Sequence, residues 1–184
     1  WFGTDEGVFR YEPETFQHFT PRDGLPAESV SSLLAASDRL LWIESAANSL
    51  TRFDGRRFKT FTEPEASSRE AFLLGMVEGP DGLVWLARSS GGIARFDGTR
   101  LQPALTNFNG GPTDQVPRLA RAANGSVWAA LRSGGLARFA GREQVPALTA
   151  THHWLTDVNT LSCDQQGAVW AGTEVGAVRF DGAP

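Results

Sequence analysis

The sequence contains little of what covalent cross-links, metal clusters and electrostatic interfaces require. Cys163 is the single cysteine, so no disulfide and no cysteine-based zinc cluster can form within the chain. Lys59 is the single lysine, and 17 basic residues face 21 acidic ones, which gives a formal charge of -4. No basic run is present. This balance argues against nucleic acid or an anionic membrane surface as a partner.

Long apolar runs and helical periodicity are also missing. No run approaches the roughly 20 apolar residues of a membrane-spanning helix, so we expect no direct membrane insertion. No stretch shows a sustained 3.6-residue apolar period, which disfavours helical repeats. The sequence has instead 20 glycines and 10 prolines, a composition typical of short strands joined by tight turns.

Two marks recur through the chain with one shared period. Tryptophan returns at intervals of 41, 43, 43 and 42 residues, at Trp1, Trp42, Trp85, Trp128 and Trp170. An arginine followed by an aromatic residue recurs in step with it, at Arg10-Tyr11, Arg52-Phe53, Arg95-Phe96, Arg138-Phe139 and Arg179-Phe180. A repeat of this length with several short strands is the β-propeller period.

Each repeat unit predicts four antiparallel strands. An apolar strand A is followed by a tight turn, strand B carries the tryptophan, strand C carries the arginine and aromatic residue, and strand D follows an Asp-Gly turn such as Asp97-Gly98. The sequence therefore predicts an all-β chain, a single β-propeller segment over residues 1–184. Its units are 1–41, 42–84, 85–127, 128–169 and a partial 170–184.

The repeated side chains are predicted to build the scaffold. A large flat tryptophan at one place in each blade would fill the gap between adjacent sheets. Neighbouring residues on a strand point to opposite faces, so the aromatic residue would pack between blades. The arginine would then pair with an acceptor on a neighbouring blade or lie along its surface.

The first repeat unit resembles a known sensor family. The residues that carry the resemblance are Trp1-Phe2-Gly3-Thr4, Gly7-Val8-Phe9-Arg10-Tyr11, Phe16-Gln17-His18-Phe19-Thr20 and Asp23-Gly24-Leu25-Pro26, and the last unit repeats them in part at Val169-Trp170-Ala171-Gly172-Thr173. They are similar to the two-component regulator propeller repeat. The middle units differ, because Glu44-Ser45, Ala87-Arg88 and Ala130-Leu131 stand where the Gly-Thr pair would follow tryptophan.

The resemblance implies a function and a setting. Its members are extracytoplasmic, periplasmic sensor regions of bacterial hybrid two-component regulators and some diguanylate cyclases, with seven-bladed propellers that recognise oligosaccharides or other small extracellular ligands. We therefore expect a ligand-binding sensory segment of a membrane-anchored receptor, with the rest of the parent receptor as partner and a homodimer formed through that parent protein. A protein–protein interaction scaffold, or less readily a streptogramin-lyase-like enzyme, are the alternatives.

The phase of the repeat predicts an incomplete ring. The pattern begins at strand B and ends at strand C, so the expected strand sets are three, four, four, four and three. About four and a half blades of a seven-bladed ring would then be present, because an open arc leaves unpaired edges. The alternative is a self-contained five-bladed ring with trimmed end blades.

The ligand site is predicted in the loops between strands D and A and between strands B and C, which emerge at one end of a propeller. Aromatic platforms and planar hydrogen-bonding groups suit a saccharide, and the candidates of those types are Arg22, Arg69, Arg88, Phe108, Asn109, Arg132, His153 and Trp154. The sequence has no nucleophile elbow, no zinc-binding His-Glu-x-x-His and no P-loop. We expect no catalytic residues, no metal site, no cofactor and no enzyme activity.

Overall fold

The computed structural model describes residues 1–45, 49–61, 73–88, 92–105, 116–132, 134–141, 143–145 and 157–181. They form five antiparallel sheets in which each strand pairs with the next along the chain. The chain comprises two compact units, Trp1–Arg69 and Glu70–Pro184.

The first unit contains two sheets. The first sheet has three strands: β1 (Phe2–Thr4), β2 (Gly7–Glu12) and β3 (Thr15–Phe19). A short 3-10 helix, Pro21–Asp23, follows it. The second sheet has four strands: β4 (Val30–Ala35), β5 (Leu41–Ser45), β6 (Ser49–Phe53) and β7 (Phe58–Phe61).

The second unit contains three sheets. The third sheet comprises β8 (Leu73–Glu78), β9 (Val84–Arg88), β10 (Ile93–Phe96) and β11 (Leu101–Leu105). The fourth comprises β12 (Arg118–Arg121), β13 (Val127–Ala130), β14 (Leu136–Ala140) and β15 (Glu143–Val145). The fifth comprises β16 (Thr160–Cys163), β17 (Val169–Thr173) and β18 (Gly176–Phe180).

The strand sets agree with those that the repeat predicts. The described residues give sheets of three, four, four, four and three strands, in the predicted chain order. Whether the 184 residues make one propeller segment stays a prediction. Among the described residues, no helix has the length and apolar character to cross a bilayer.

The sheets of the second unit meet at their first strands. β12 of the fourth sheet lies beside both β8 and β16, the first strands of the sheets on either side. Sheets that converge on one edge in this way are arranged as propeller blades are around a common axis.

Tryptophan packs between neighbouring sheets, as predicted. Trp85 of the third sheet contacts Phe139 of the fourth, with ring centroids 5.5 Å apart, and both side chains are fully buried. Trp128 of the fourth sheet meets Phe180 of the fifth at 5.6 Å. In each case the tryptophan of one sheet reaches the aromatic residue of the Arg-aromatic mark in the next sheet. This contact is the repeated unit of the core.

Four of the repeated arginines contact side chains of their own sheets, namely Arg10, Arg95, Arg138 and Arg179, so the predicted pairing with an acceptor on a neighbouring blade is wrong for these four. The guanidinium of Arg138 lies 5.7 Å from the centroid of Trp128, its partner across β13 and β14. Arg95, across from Trp85, donates to Asp81 of its own sheet at 3.4 Å. The physical reason is register, because residues directly opposite each other on antiparallel strands point to the same face and come into contact.

Carboxylates hold the turns between the first and second strands. Asp81 accepts a hydrogen bond from Trp85 Nε1 at 2.9 Å, and Asp164 accepts one from Trp170 Nε1 at 3.1 Å. The Trp170 bond is the main cause that lowers the pKa of Asp164. These aspartates therefore orient the tryptophans, which explains why acidic residues recur in the turns.

Candidate functional site

The antiparallel register distinguishes the two ends of each sheet. In the second sheet, Val30 pairs with Ser45 and Ser45 pairs with Ser49, so the start of the first strand and the turn between the second and third strands share one end. We call this the loop end, because the connection from the preceding sheet also arrives there. The Asp-containing turns lie at the opposite end, which we call the turn end. The predicted ligand site belongs to the loop end.

The first and fifth sheets close their loop-end turns with a threonine and a glycine. Thr4 Oγ1 donates to the carbonyl of Gly7 at 3.1 Å, and Thr173 Oγ1 donates to that of Gly176 at 3.0 Å. Gly7 has a φ of 132°, and a Cβ there would lie 2.3 Å from the carbonyl oxygen of Phe19. Only glycine fits that position, so the turn of the first sheet is tightly determined scaffold.

The three middle sheets have longer loop-end turns. Trp85 precedes Arg95 by ten residues, whereas Trp1 precedes Arg10 by nine, so each middle turn holds one additional residue. In the third sheet the backbone N–H of Arg88 donates to the carbonyl of Gly92 at 3.3 Å across this longer turn. The third and fourth sheets have Arg88 and Arg132 at this end, whereas the turns of the first and fifth sheets carry the acidic residues Asp5, Glu6 and Glu174.

Arg88 and Arg132 are two of the predicted site residues, and the structure places both at the loop end of the second unit. Arg88 ends β9 and is partly buried, and Arg132 follows β13 and is exposed. They belong to neighbouring sheets, because β8 and β12 lie side by side. The structure thus brings two of the candidate cations to one end of one unit.

Arg22 belongs to the first unit, in the connection between β3 and β4. It lies in the 3-10 helix Pro21–Asp23 and is exposed. The helix begins at Thr20, whose backbone N–H and hydroxyl both donate to the carboxylate of Asp23. The backbone N–H of Thr20 is the main cause that lowers the pKa of Asp23. The remaining candidates lie outside the described residues: Arg69, Phe108, Asn109, His153 and Trp154.

Arg118 is a loop-end cation that sequence reasoning missed. It begins β12, and its guanidinium donates from Nε to the carbonyl of Asn159 at 2.6 Å and from Nη1 to the carbonyl of Pro117 at 2.6 Å. Both acceptors are neutral, so these bonds orient the guanidinium without cancelling its charge. The sequence clue to Arg118 was a charged residue on the first strand of a sheet, where the repeat otherwise has apolar residues.

Glu44 is a buried acid that sequence reasoning did not select as a site residue. It lies on β5, two residues after Trp42, with 4% of its surface exposed. Burial raises the pKa of its carboxyl to about 7. No hydrogen bond or ion pair joins its side-chain carboxyl to another of the described residues. The sequence did contain a clue to Glu44, because it stands where the first and fifth sheets have a glycine, Gly3 and Gly172.

Other reactive groups of the described residues show no catalytic arrangement. Burial raises the pKa of the Cys163 thiol to about 11, so it stays protonated at neutral pH. His18 is exposed and stacked on Phe9, with ring centroids 4.0 Å apart. The described part of the chain contains no group of three or more histidine, cysteine, aspartate or glutamate residues placed to hold a metal ion.

No protein-family model matches the sequence, and no curated protein matches it either. Solved structures do match. The extracellular domain assigned to a hybrid two-component system of B. thetaiotaomicron is 18% identical with a TM-score of 0.74, over 98% of this chain and 25% of that chain. PorZ, a surface component of the type-IX secretion system of Porphyromonas gingivalis, is 14% identical with a TM-score of 0.69, over 97% of this chain and 29% of that chain.

Virginiamycin B lyase from Staphylococcus aureus shares the same fold. It is 18% identical with a TM-score of 0.67, over 92% of this chain and 61% of that chain. At such identities a likeness shows the fold alone. The chain is therefore all-β with the propeller-like sheet arrangement of these proteins, and it spans about a quarter of the length of the two-component extracellular domain.

Proposed function

We propose that this chain is the ligand-binding part of an extracytoplasmic sensor propeller, and that its loop end binds a saccharide. The observation that carries the proposal is the change of the loop-end turns between sheets. Turns in the first and fifth sheets are closed by threonine and glycine, whereas those of the third and fourth sheets are longer and accompanied by Arg88 and Arg132. Binding residues on a rigid scaffold concentrate in such variable connections.

The chemistry of the loop end suits a polar ligand with paired oxygen atoms. A guanidinium is planar and donates two parallel hydrogen bonds, which matches a carboxylate or two neighbouring hydroxyls of a sugar. Arg118 adds a third guanidinium whose orientation is held by two backbone carbonyls. The aromatic candidates Phe108 and Trp154 would supply the apolar face of a sugar site, and they remain predictions.

The setting of the proposed sensor is a membrane-anchored receptor. Support comes from the likeness to extracellular domains assigned to two-component systems of B. thetaiotaomicron, whose lengths are about four times that of this chain. We propose that the chain contributes about four and a half blades to a seven-bladed ring of a longer receptor. The other blades and a signalling domain would be its partners.

Calorimetry with the full extracellular region and a panel of neutral and acidic oligosaccharides tests the proposal. Replacing Arg88→Ala or Arg132→Ala removes a charge-assisted contact, so we expect the affinity for the bound saccharide to fall at least about tenfold. Arg100→Ala is the matched control, because Arg100 is an exposed arginine at the turn end of the same unit. Equal losses for all three variants, or no binding by any saccharide, would overturn the proposal.

A lyase activity is the second candidate, because the fold covers 61% of the virginiamycin B lyase chain. We propose binding rather than catalysis. Incubation with virginiamycin B, followed by mass spectrometry and chromatography, separates the two. We expect the antibiotic to be recovered unchanged, and a ring-opened product that increases with time would favour the enzyme.

A further inference from the structure

The turn end of the fourth sheet lacks acidic residues at two positions where other sheets have them. One acidic residue lies in the turn between the first and second strands of the second, third and fifth sheets, at Asp38, Asp81 and Asp164. Another follows the repeated arginine by two residues in every sheet but the fourth, at Glu12, Asp54, Asp97 and Asp181. The fourth sheet has Asn124 in its turn and Ala140 after Arg138, so it keeps the arginine without either acidic neighbour.

The third sheet shows what the acidic residue of the turn does. Asp81 accepts a hydrogen bond from Trp85 Nε1 at 2.9 Å through Oδ1, and it accepts one from Arg95 Nη1 at 3.4 Å through Oδ2. One carboxylate therefore bridges the indole N–H of the tryptophan and the guanidinium of the arginine opposite it. The arginines of the first and fifth sheets also pair with carboxylates, because Arg10 and Arg179 form ion pairs with the acidic residues that follow them by two.

Asn124 keeps only half of the role of Asp81. Its Oδ1 accepts hydrogen bonds from the backbone N–H and the hydroxyl of Ser126, at 3.0 and 2.7 Å, so it closes the turn as Asp81 does. Its second polar atom is an amide nitrogen, which is a donor and cannot pair with a guanidinium. The residue thus preserves the backbone turn and removes the acceptor that a tryptophan and an arginine share in the third sheet.

Two hydrogen-bond donors of the fourth sheet are consequently left without an acceptor. Trp85 and Trp170 donate to aspartates, whereas Trp128 Nε1 has no acceptor among the described residues. The buried Nε of Arg138 has no partner either, and the guanidinium lies over the Trp128 ring, 5.7 Å from its centroid. Asn124 and Ala140 are exposed, so the two positions that lack a carboxylate face the solvent. A buried donor without a partner is costly, and in a folded protein it indicates a missing ligand or water.

We infer that Arg138 and Trp128 bind a carboxylate supplied by another molecule. The carboxylate would bridge Trp128 Nε1 and the Arg138 guanidinium, as Asp81 bridges the equivalent pair of the third sheet. A guanidinium and a carboxylate match in geometry and charge, which favours this ligand class. The site lies at the opposite end of the sheet from the proposed saccharide site, so the two proposals stand or fall separately.

Heteronuclear NMR of the indole and guanidinium N–H signals of the chain measures the binding. The probes are glutarate, as a free organic acid, and a capped tetraglutamate peptide, as the acidic segment of a partner protein. Both are ionised at about pH 6. We expect the Trp128 and Arg138 signals to shift and saturate with millimolar affinity, since a single ion pair near the surface is weak. The Trp85 and Trp170 signals should stay in place, because aspartates already occupy those N–H groups.

The two probes identify the source of the carboxylate. Tighter binding of the peptide supports a partner protein, and tighter binding of glutarate supports a free organic acid. A capped tetraglutamine peptide is the neutral control and should shift neither signal. Wild-type signals that do not move with either acid, or that move equally with tetraglutamine, overturn the inference.

Variants that restore a carboxylate to the fourth sheet test the site without removing its arginine. Asn124→Asp recreates the acceptor of the third sheet with almost no change of shape, so it should weaken binding of the acids at least about tenfold. Ala140→Asp should also weaken it, and Ala140→Asn, its neutral counterpart, should bind as wild type does. Circular dichroism verifies that each variant is folded.

Unchanged binding in both aspartate variants overturns the inference. Glu143 lies opposite Ala140 in the register of β14 and β15, so it is the acid of this sheet to compare. We expect Glu143→Gln to bind the acids at least as well as wild type. Binding that appears in Glu143→Gln alone would also overturn the inference, because the chain itself would then fill the site.

Discussion

The first and fifth sheets differ from the middle sheets in how they use the same repeat. Their loop-end turns are short, and a threonine hydroxyl bonded to the carbonyl of Gly7 or Gly176 closes each one. The middle sheets keep the tryptophan and the arginine but lengthen this turn and place Glu44, Arg88 and Arg132 near it. The lesson is that the parts of the repeat which determine packing are retained, while the part that faces the loop end is free to change.

The largest expected effect is a difference in stability loss. It compares the replacement of a buried tryptophan with the replacement of an exposed one at the equivalent position of the repeat. Trp85 is fully buried against Phe139, whereas Trp170 is 42% exposed. We expect Trp85→Ala to lower the free energy of unfolding by about 3–5 kcal/mol through lost burial and a new cavity. Trp170→Ala should cost less than about 1.5 kcal/mol. Urea denaturation at low protein concentration measures both, and equal losses would contradict the repeated-contact description of the core.

The next effect tests the closed turn of the first sheet. Gly7→Ala would place a Cβ 2.3 Å from the Phe19 carbonyl oxygen, and the residue has a φ of 132°. We expect a loss of about 2–4 kcal/mol in the free energy of unfolding, because strain and a backbone clash combine. Gly55→Ala is the control, since Gly55 also has a positive φ but has open space where a Cβ would lie. Its cost should be about 1 kcal/mol, from backbone strain alone.

The stability of the protein should depend on pH because of Glu44 in the second sheet. Burial raises the pKa of its carboxyl from 4.5 to about 7 in the folded protein. The folded state therefore binds the proton more tightly than the unfolded state, and stability falls as pH rises from about 4.5 to 7. We expect Glu44→Gln, which stays neutral, to be more stable than wild type by roughly 3 kcal/mol at pH 8. Below pH 4.5 the difference should vanish.

Thermal unfolding from pH 4 to pH 8 follows the Glu44 effect. Glu28→Gln serves as the matched control, because Glu28 is an exposed glutamate of the same unit. A Glu44→Gln gain that is the same at every pH would show that the carboxyl is not titrating near neutrality.

The smallest expected effect concerns a threonine turn at the other end of the chain. Thr173→Val removes the hydroxyl that donates to Gly176 at 3.0 Å while keeping the shape of the side chain. The bond is exposed, so we expect a loss of about 0.5–1 kcal/mol. Ser45→Ala in a middle sheet provides the comparison. The Ser45 and Ser49 hydroxyls lie 2.8 Å apart and are buried, so a loss there should be at least as large.

Much of the fold was predictable because its signals are local. The tryptophan period, the Asp-Gly turns and the alternation of apolar residues act within one hairpin, and they predict the strand sets of all five sheets. The partner of each repeated arginine was not predictable in this way. It depends on cross-strand register, which places Arg138 beside Trp128 rather than on the next sheet.

The site was predictable only in outline. Loop reasoning placed Arg88 and Arg132 at the correct end of their sheets, because turn position follows from strand order. It missed Arg118, whose guanidinium is oriented by two carbonyl acceptors, one of them on Asn159 just before the next sheet. Such a contact joins residues that are far apart in the chain, so no local sequence pattern predicts it.

The sequence by itself determined where strands and turns lie, because backbone preferences and side-chain alternation act over a few residues. The tertiary structure determined which of two equivalent positions in the repeat is buried and which is exposed. Phe53 and Tyr11 have the same place in the repeat, yet one is buried beneath Trp1 and the other is 57% exposed. Glu44 likewise owes the raised pKa of its carboxyl to burial. Burial and desolvation depend on which surfaces meet, and that is a property of packed sheets rather than of any single repeat.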